Sequence, residues 1–407
     1  MTRACRFAVA LLAVAMLAAG LAAEPAIGAE APQWSGSLKS LNFYSEADQL
    51  GLFPESAISS NRLRLNLGWN LDRRLRLEAS LDHQLLWTDP AELPVLPASG
   101  VNRAVDLEKV WRHADDWDSR LQVDHLNLRY RGPSTDLVIG RQAVGFGRIV
   151  IFSPLDIIAP FPPDALDTDI RSGVDALRIS SYYGLDGQIG GVLVGGDENR
   201  YHSLLLTWSD NRGGVDLLAI TGVLRDRAML GLGLAGSLGT LGLKAEAAIY
   251  EGRRENHPPD DLYADFAVGG LEAWYRFDNG LTLITQYLYN GPGATDPQDY
   301  PAVAASAPLR EGLTALLGRH YLLAAPSYQL HPLATLDGLL IWNLEDSSLL
   351  IRPTLKLEPM DNFSLDLFWT FSAGKEPQIV GPFLPAVPRS EFGLRGQSGG
   401  LFLRFYF

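Results

Sequence analysis

The chain has 407 residues, 47% apolar, 20% charged and 10% aromatic, with 40 Gly, 25 Pro, one Cys and a formal net charge of −13. An acidic chain without a basic run is a poor nucleic-acid partner, because phosphate contacts need clustered Lys and Arg. A composition this apolar excludes disorder, a single Cys excludes a disulfide framework or a multi-thiolate metal site, and the mean hydropathy of +0.02 falls between a soluble enzyme and a helical membrane protein.

Arg3 and Arg6 precede an apolar run from Phe7 to Ala23, and small residues follow at Ala26, Gly28 and Ala29. That order predicts a secretory signal peptide over residues 1–29, cut after Ala29 or after Ala23. The run is short for a membrane anchor. Cys5 lies upstream of it, where it cannot be a lipoprotein cysteine. Loss of Arg3, Arg6 and Glu24 leaves an exported chain, residues 30–407, with a charge of −14 and no cysteine.

No later window holds the roughly 18 uninterrupted apolar residues that a spanning helix needs. The dominant period is two. Leu63, Leu65, Leu67, Trp69 and Leu71 alternate with Arg62, Arg64, Asn66, Gly68 and Asn70; Leu75, Leu77, Ala79 and Leu81 alternate with Arg76, Glu78, Ser80 and Asp82. Such alternation puts apolar side chains on one strand face and polar ones on the other. A soluble sandwich and a membrane barrel both satisfy it, and length decides: soluble strands average about 5–6 residues, transmembrane strands about 9–11. These runs are long, and aromatic residues collect near their ends at Trp34, Trp87, Tyr182, Tyr183, Tyr250, Tyr287, Tyr289, Trp342, Trp369 and Phe371, as in the girdles of membrane barrels.

About eighteen such segments follow one another, or sixteen if the Gly-rich stretch 186–238 is over-counted by a hairpin. Every second connection is short, as at Asp72-Arg73, Gly132-Pro133-Ser134, Gly239 and Asp278-Asn279-Gly280, while the long ones (46–59, 88–118, 146–172, 252–263, 292–317 and 374–396) fall between them. Sorting of this kind belongs to barrels with short periplasmic turns and long outer loops. The predicted fold is therefore all-β, one transmembrane antiparallel barrel over 30–407.

At the C-terminus, Leu401, Leu403, Phe405 and Phe407 alternate with Phe402, Arg404 and Tyr406. This resembles the terminal strand of Gram-negative outer-membrane barrels, which implies that Phe405 and Phe407 belong to the signal read by the barrel-assembly machinery. The implied location is the outer membrane, with its lipid as first partner.

The polar phase places Arg62, Arg64, Arg76, Glu78, Asp82 and Arg178 on the lumen wall. Two readings apply: these charges pair across strands and stiffen the wall, or Arg62, Arg64 and Arg76 offer positive potential to a passing solute. The segment after the fifth strand is the most distinctive, with Gly140-Arg141-Gln142, four prolines at 154, 160, 162 and 163, then Asp164, Asp167, Asp169, Arg171 and Gly173-Val174-Asp175-Ala176-Leu177-Arg178. Prolines preclude regular structure and favour a pre-ordered loop. By resemblance to porins, whose third loop often folds inward, residues 146–172 are expected inside the barrel, with Asp156, Asp164, Asp167 and Asp169 facing Arg141, Arg148, Arg171 and wall arginines across a constriction. An outward, solvated loop is the alternative; a calcium site at Asp164, Asp167 and Asp169 lacks a Gly-bearing twelve-residue loop. The Gly-Arg-Gln start, the Gly-x-Asp-Ala-Leu-Arg finish and the hairpin Asn343 to Leu350 resemble the alginate-export and related porin-like families.

Seven scattered histidines form no zinc or nucleophile-elbow motif, so no catalytic residue, metal or cofactor is expected. The expected function is a passive channel for small polar or anionic solutes or an exported polysaccharide. The alternative is a sleeve around a periplasmic partner such as a multihaem cytochrome, whose haem the partner would bring, since no Cys-x-x-Cys-His exists here.

Overall fold

The structure, a computed structural model, describes residues 31–48, 54–89, 101–114, 117–252, 265–378 and 387–407; the expected export segment and parts of four long connections lie outside these. Nineteen strands form in chain order: β1 (Gln33–Ser45), β2 (Ser56–Asn70), β3 (Leu75–Asp89), β4 (Glu108–Ala114), β5 (Trp117–Arg131), β6 (Thr135–Gln142), β7 (Val174–Tyr183), β8 (Gly187–Gly195), β9 (Ser203–Arg212), β10 (Val215–Leu224), β11 (Arg227–Leu238), β12 (Leu241–Tyr250), β13 (Phe266–Arg276), β14 (Thr282–Asn290), β15 (His320–His331), β16 (Ala334–Asn343), β17 (Leu349–Met360), β18 (Phe363–Ala373) and β19 (Ser398–Tyr406). Eighteen of them close an antiparallel barrel. β4 is the exception, since it pairs with β5 alone while β3 also pairs with β5. The ring closes where β1 meets both β2 and β19. The Gly-rich stretch 186–238 holds four strands, which settles eighteen over sixteen.

The barrel forms because each strand presents one apolar face outward. Leu63, Leu65, Leu81, Ile189, Leu193, Leu204, Leu206, Leu230, Leu232 and Leu234 are exposed on the exterior. A soluble protein does not leave so wide an apolar surface uncovered, whereas lipid covers it without cost. Trp34, Tyr183, Trp342, Trp369 and Phe371 join this surface, whereas Tyr182 departs from the expected girdle, sharing the inward phase of Arg178 and donating its hydroxyl to Asp136. Tyr250 departs from the expected girdle: it is buried and stacks on Phe266 with ring centroids 4.6 Å apart. Phe405 and Phe407 point outward at the β19 end, and Phe407 exchanges backbone hydrogen bonds with Gly36 of β1.

The interior is divided. From β7 to β17 the inward residues include Val192, Val194, Leu205, Leu218, Ile220, Val268, Leu288, Leu323 and Ile341, all in one cluster with Val144, Phe152, Leu155, Ile157 and Ile158 of the segment 143–173. Inward glycines seat that segment: a Cβ on Gly231 would lie 2.6 Å from a Leu155 methyl, and one on Gly270 would lie 3.0 Å from Ile149. The other part of the wall, from β1 to β7, is charged.

Candidate functional site

The charged wall is built by register. Arg62 and Arg64 on β2 stand beside Asp82 of β3, and both donate to Asp82 Oδ2, at 2.5 and 2.9 Å. Arg64 also donates to Asp124 Oδ2 at 2.7 Å and lies 2.6 Å from His125 Nδ1. Asp124 sits at a bulge, where the β3–β5 register shifts between Ser80 and Leu81, and so turns into the barrel out of the period-two phase. Arg103, from the segment before β4, completes it with a bond to Asp124 Oδ1 at 3.0 Å and another to Gly173 O at 2.9 Å. Arg141 grips Asp175 of the next strand with two bonds, at 2.8 and 3.0 Å. Arg64, Asp82 and Arg141 are thus closed to water and hold the wall, which is the pairing reading of these residues.

One row of the wall is different. Arg76 pairs in register with Arg129, Arg129 with Val138 and Val138 with Arg178, so three guanidinium stems lie side by side across β3, β5, β6 and β7. The row on one side offers Glu78, opposite Asn127 and then Gly140, and the row on the other side sets Asp136 between Arg131 and Ser180. Glu78 accepts from Arg76 at 3.0 Å and lies 3.8 Å from Arg129. Among the described residues no carboxylate lies within ion-pairing distance of Arg178, and the buried Arg129 Nε has no hydrogen-bond partner. These side chains line a cavity of about 470 Å³ together with Gln33, Asn66, Ser80, His125, Asn127 and Gln142.

The segment 143–173 crosses the interior between opposite walls. At its start, Arg148 N and Ile149 N donate to Glu246 Oε1 at 2.5 and 3.0 Å, Val150 N donates to Glu272 Oε2 at 2.6 Å, and Phe152 exchanges two backbone bonds with the Gln286 amide. Arg148 thus meets the wall through its backbone N–H, and its Nη1 is buried without a hydrogen-bond partner among the described residues. At its far end, Lys39 of β1 holds Asp167 at 2.8 Å and Asp169 at 2.9 Å, and the Tyr406 hydroxyl of β19 donates to Asp169 at 2.6 Å. Between them, Asp156 pairs with Arg171 at 2.5 Å inside the segment, and Arg171 lies over the Phe161 ring. Burial raises the Asp156 carboxyl, against the pull of Arg171. Asp164 meets Arg395 at 3.3 Å, and its carbonyl accepts from Arg352. Asp156 thus meets Arg171 and Asp164 meets the wall arginine Arg352, as the sequence suggests, and Asp167 lies within electrostatic reach of Arg62, while none of the four acids pairs with Arg64 or Arg76 among the described residues. Among the described residues no cluster of His, Cys, Asp or Glu is arranged to hold a metal ion, and Asp167 and Asp169 have a lysine between them.

Sequence reasoning missed Lys39, Arg103, Asp124 and Gln286 as site residues. The inward-phase glycines of β11 and β13 were the available signal for a docked loop, because a strand gains nothing from glycine unless something approaches it closely.

No protein-family model matches the sequence, and no curated protein matches it. Solved structures do share the fold. OccD3 (OpdP) from Pseudomonas aeruginosa aligns over 93% of this chain and 92% of its own, at 12% identity and a TM-score of 0.53. Two Acinetobacter baumannii structures, OccAB4 and OccAB2, each align over 93% of this chain and 98% of their own, at 11% and 10% identity and a TM-score of 0.57.

Proposed function

We propose that the chain is an outer-membrane channel through which small anionic or polar solutes diffuse along the charged side of the lumen. The apolar exterior supports a place in lipid, and the loop-filled apolar side leaves the β1–β7 side as the route. The observation that carries the reading is the row Arg76, Arg129 and Arg178 in a cavity of about 470 Å³, where Glu78 is the one acid in the lining among the described residues. Guanidinium groups that outnumber the carboxylates beside them attract anions into a low-dielectric passage, and fixed width and charge select without energy input. The amides and hydroxyls of Asn66, Asn127, Gln142 and Ser80 in the same cavity would serve a polyhydroxylated solute, including a saccharide of the kind the alginate-export resemblance implies. A sleeve around a threaded partner needs a wide bore, and the chain's own segment 143–173 takes up that space.

Planar-bilayer recording of the purified chain tests the reading. Stable steps with anion preference are expected, and replacing Arg76, Arg129 and Arg178 together by Gln should move the reversal potential toward cations. Silence of the folded chain would exclude the channel; an unchanged reversal potential would remove the row from the account.

A further inference from the structure

The outer mouth is crossed by residues 291–319, a strap with two short helices, α1 (Tyr300–Ala304) and α2 (Ala307–Arg310). Its α2 end is fixed at the β10–β11 turn. There Arg225, held in the left-handed region at φ +49, donates to Glu311 O of the strap and to Ile158 O of the inner segment. Leu313 and Leu316 follow and join the interior apolar cluster.

The α1 end is fixed by chemistry of another kind. The Tyr300 hydroxyl donates to Asp346 Oδ2 at 2.7 Å, and Asn343 Nδ2 donates to Tyr300 Oη and to Glu391 Oε2, both at 2.9 Å. The Tyr321 hydroxyl donates to Glu391 Oε2, Leu317 N of the strap to Glu391 Oε1 at 3.1 Å, and Glu391 N to Asp346 Oδ2 at 2.7 Å. Asn343 Nδ2 also donates to Asp346 Oδ2 at 3.2 Å, so two buried carboxylates share one amide donor, and among the described residues no lysine or arginine lies within ion-pairing distance of either. The ionisable groups around Glu391 are Asp346 from the β16–β17 turn, Tyr300 from the strap, Tyr321 from β15 and Arg395 from its own segment, the last engaged by Asp164 at 3.3 Å. Nothing in passive diffusion calls for such a pair.

We propose that the strap is a pH-sensitive cover of the outer mouth, held down while Glu391 is protonated and loosened when Glu391 ionises beside Asp346. Protonated, Glu391 adds no charge to the knot. Ionised, it sets a second negative charge against Asp346 in a site closed to water, where like charges repel strongly. Burial pushes the Glu391 carboxyl up, and the bonds and charge supplied by Tyr321, Arg395, Leu317 and Asn343 pull it back by less. A value raised in the closed state means that the contribution to closure is full below the ordinary glutamate pKa of about 4.3. It is lost as pH rises through the closed-state value, by at most about tenfold per pH unit for one proton.

Amide hydrogen exchange of the purified barrel in micelles tests this without appeal to conductance, so its failure and that of the channel reading are separable. The readout is the protection of Ala305, Ser306, Leu317 and Gly318, corrected for the intrinsic pH dependence of exchange. In the unsubstituted chain, protection should fall on going from acidic to mildly alkaline buffer and then level off. Glu391→Gln, neutral and of the same shape, should keep it high throughout. Tyr300→Phe, which removes the strap's own donor to Asp346, should lower it at every pH. Protection independent of pH in the unsubstituted chain, the same fall in Glu391→Gln, or full protection in Tyr300→Phe would each overturn the proposal.

Discussion

The two sides of the lumen are built from one strand pattern and reach opposite ends. From β8 to β17 most buried inward positions are Val, Leu, Ile and Gly, with Glu246, Glu272 and Gln286 among them as anchors, and the segment 143–173 packs into them with Leu155 fully buried between Gly231 and Gly233. From β1 to β7 the inward positions are Arg, Asp, Glu and Asn, and a cavity remains. Apolar burial is additive and undirected, so an apolar wall is satisfied only by being covered. A charged wall is satisfied by pairing, and pairing can be incomplete. The barrel thereby carries a plug on one side and a passage on the other, with no change of fold between them.

Breaking each side separately sharpens the contrast. The largest effect is expected within the charged wall itself. Arg64→Met leaves Asp82 and Asp124 buried without their shared cation and should cost about 3–5 kcal/mol. Arg76→Met, whose pair with Glu78 is partly open to solvent, should cost no more than about 1 kcal/mol. Urea midpoints of the folded barrel in micelles compare the two, and equal costs would contradict the division into wall-holding and lumen-facing arginines. On the apolar side, Leu155→Ala should cost about 2–5 kcal/mol. Its signature is local, with residues 143–173 becoming open to protease while the barrel stays intact. Cooperative loss of the whole barrel would mean that the plug is part of the wall.

A smaller effect concerns acid. Asp169 is partly desolvated, which raises its carboxyl, but the bonds from Tyr406 and Lys39 and the charges of Lys39 and Arg404 bring it below the ordinary carboxylate range. A lowered value in the docked state means that the latch is at full strength above the free aspartate pKa of about 3.9 and weakens as pH falls through the docked value. Acid should therefore free the tip at 167–169 while it holds the outer strap, and hydrogen exchange at Asp169 N against Leu317 N reads both signs at once.

Much of the fold was legible because alternation is a direct image of a two-sided sheet, and eighteen crossings with sorted turn lengths follow from residues such as Leu63 to Leu71. The wall charges were legible in phase but not in partner. Asp124 escapes because a bulge between Ser80 and Leu81 breaks the period that identifies inward residues. Arg64 looks like a pore residue in sequence, and it becomes a buried one only through that bulged acid. Lys39 and Asp167 lie 128 residues apart, and the contact that joins them depends on how a proline-rich segment turns inside the barrel. The knot at the mouth is hidden for the same reason: the hairpin at 343–350 stands out, but Glu391 and Tyr300 reach it from two other loops.

The central claim is that solutes pass along the charged side. With cysteine absent from residues 30–407, single thiols can be placed at Ser35, which lines the cavity, and at Val268, which faces the plug. The most direct measurement is single-channel conductance of Ser35→Cys and Val268→Cys before and after a bulky anionic thiol reagent. A fall in Ser35→Cys alone is the predicted result; block through Val268→Cys with Ser35→Cys unaffected would contradict the account.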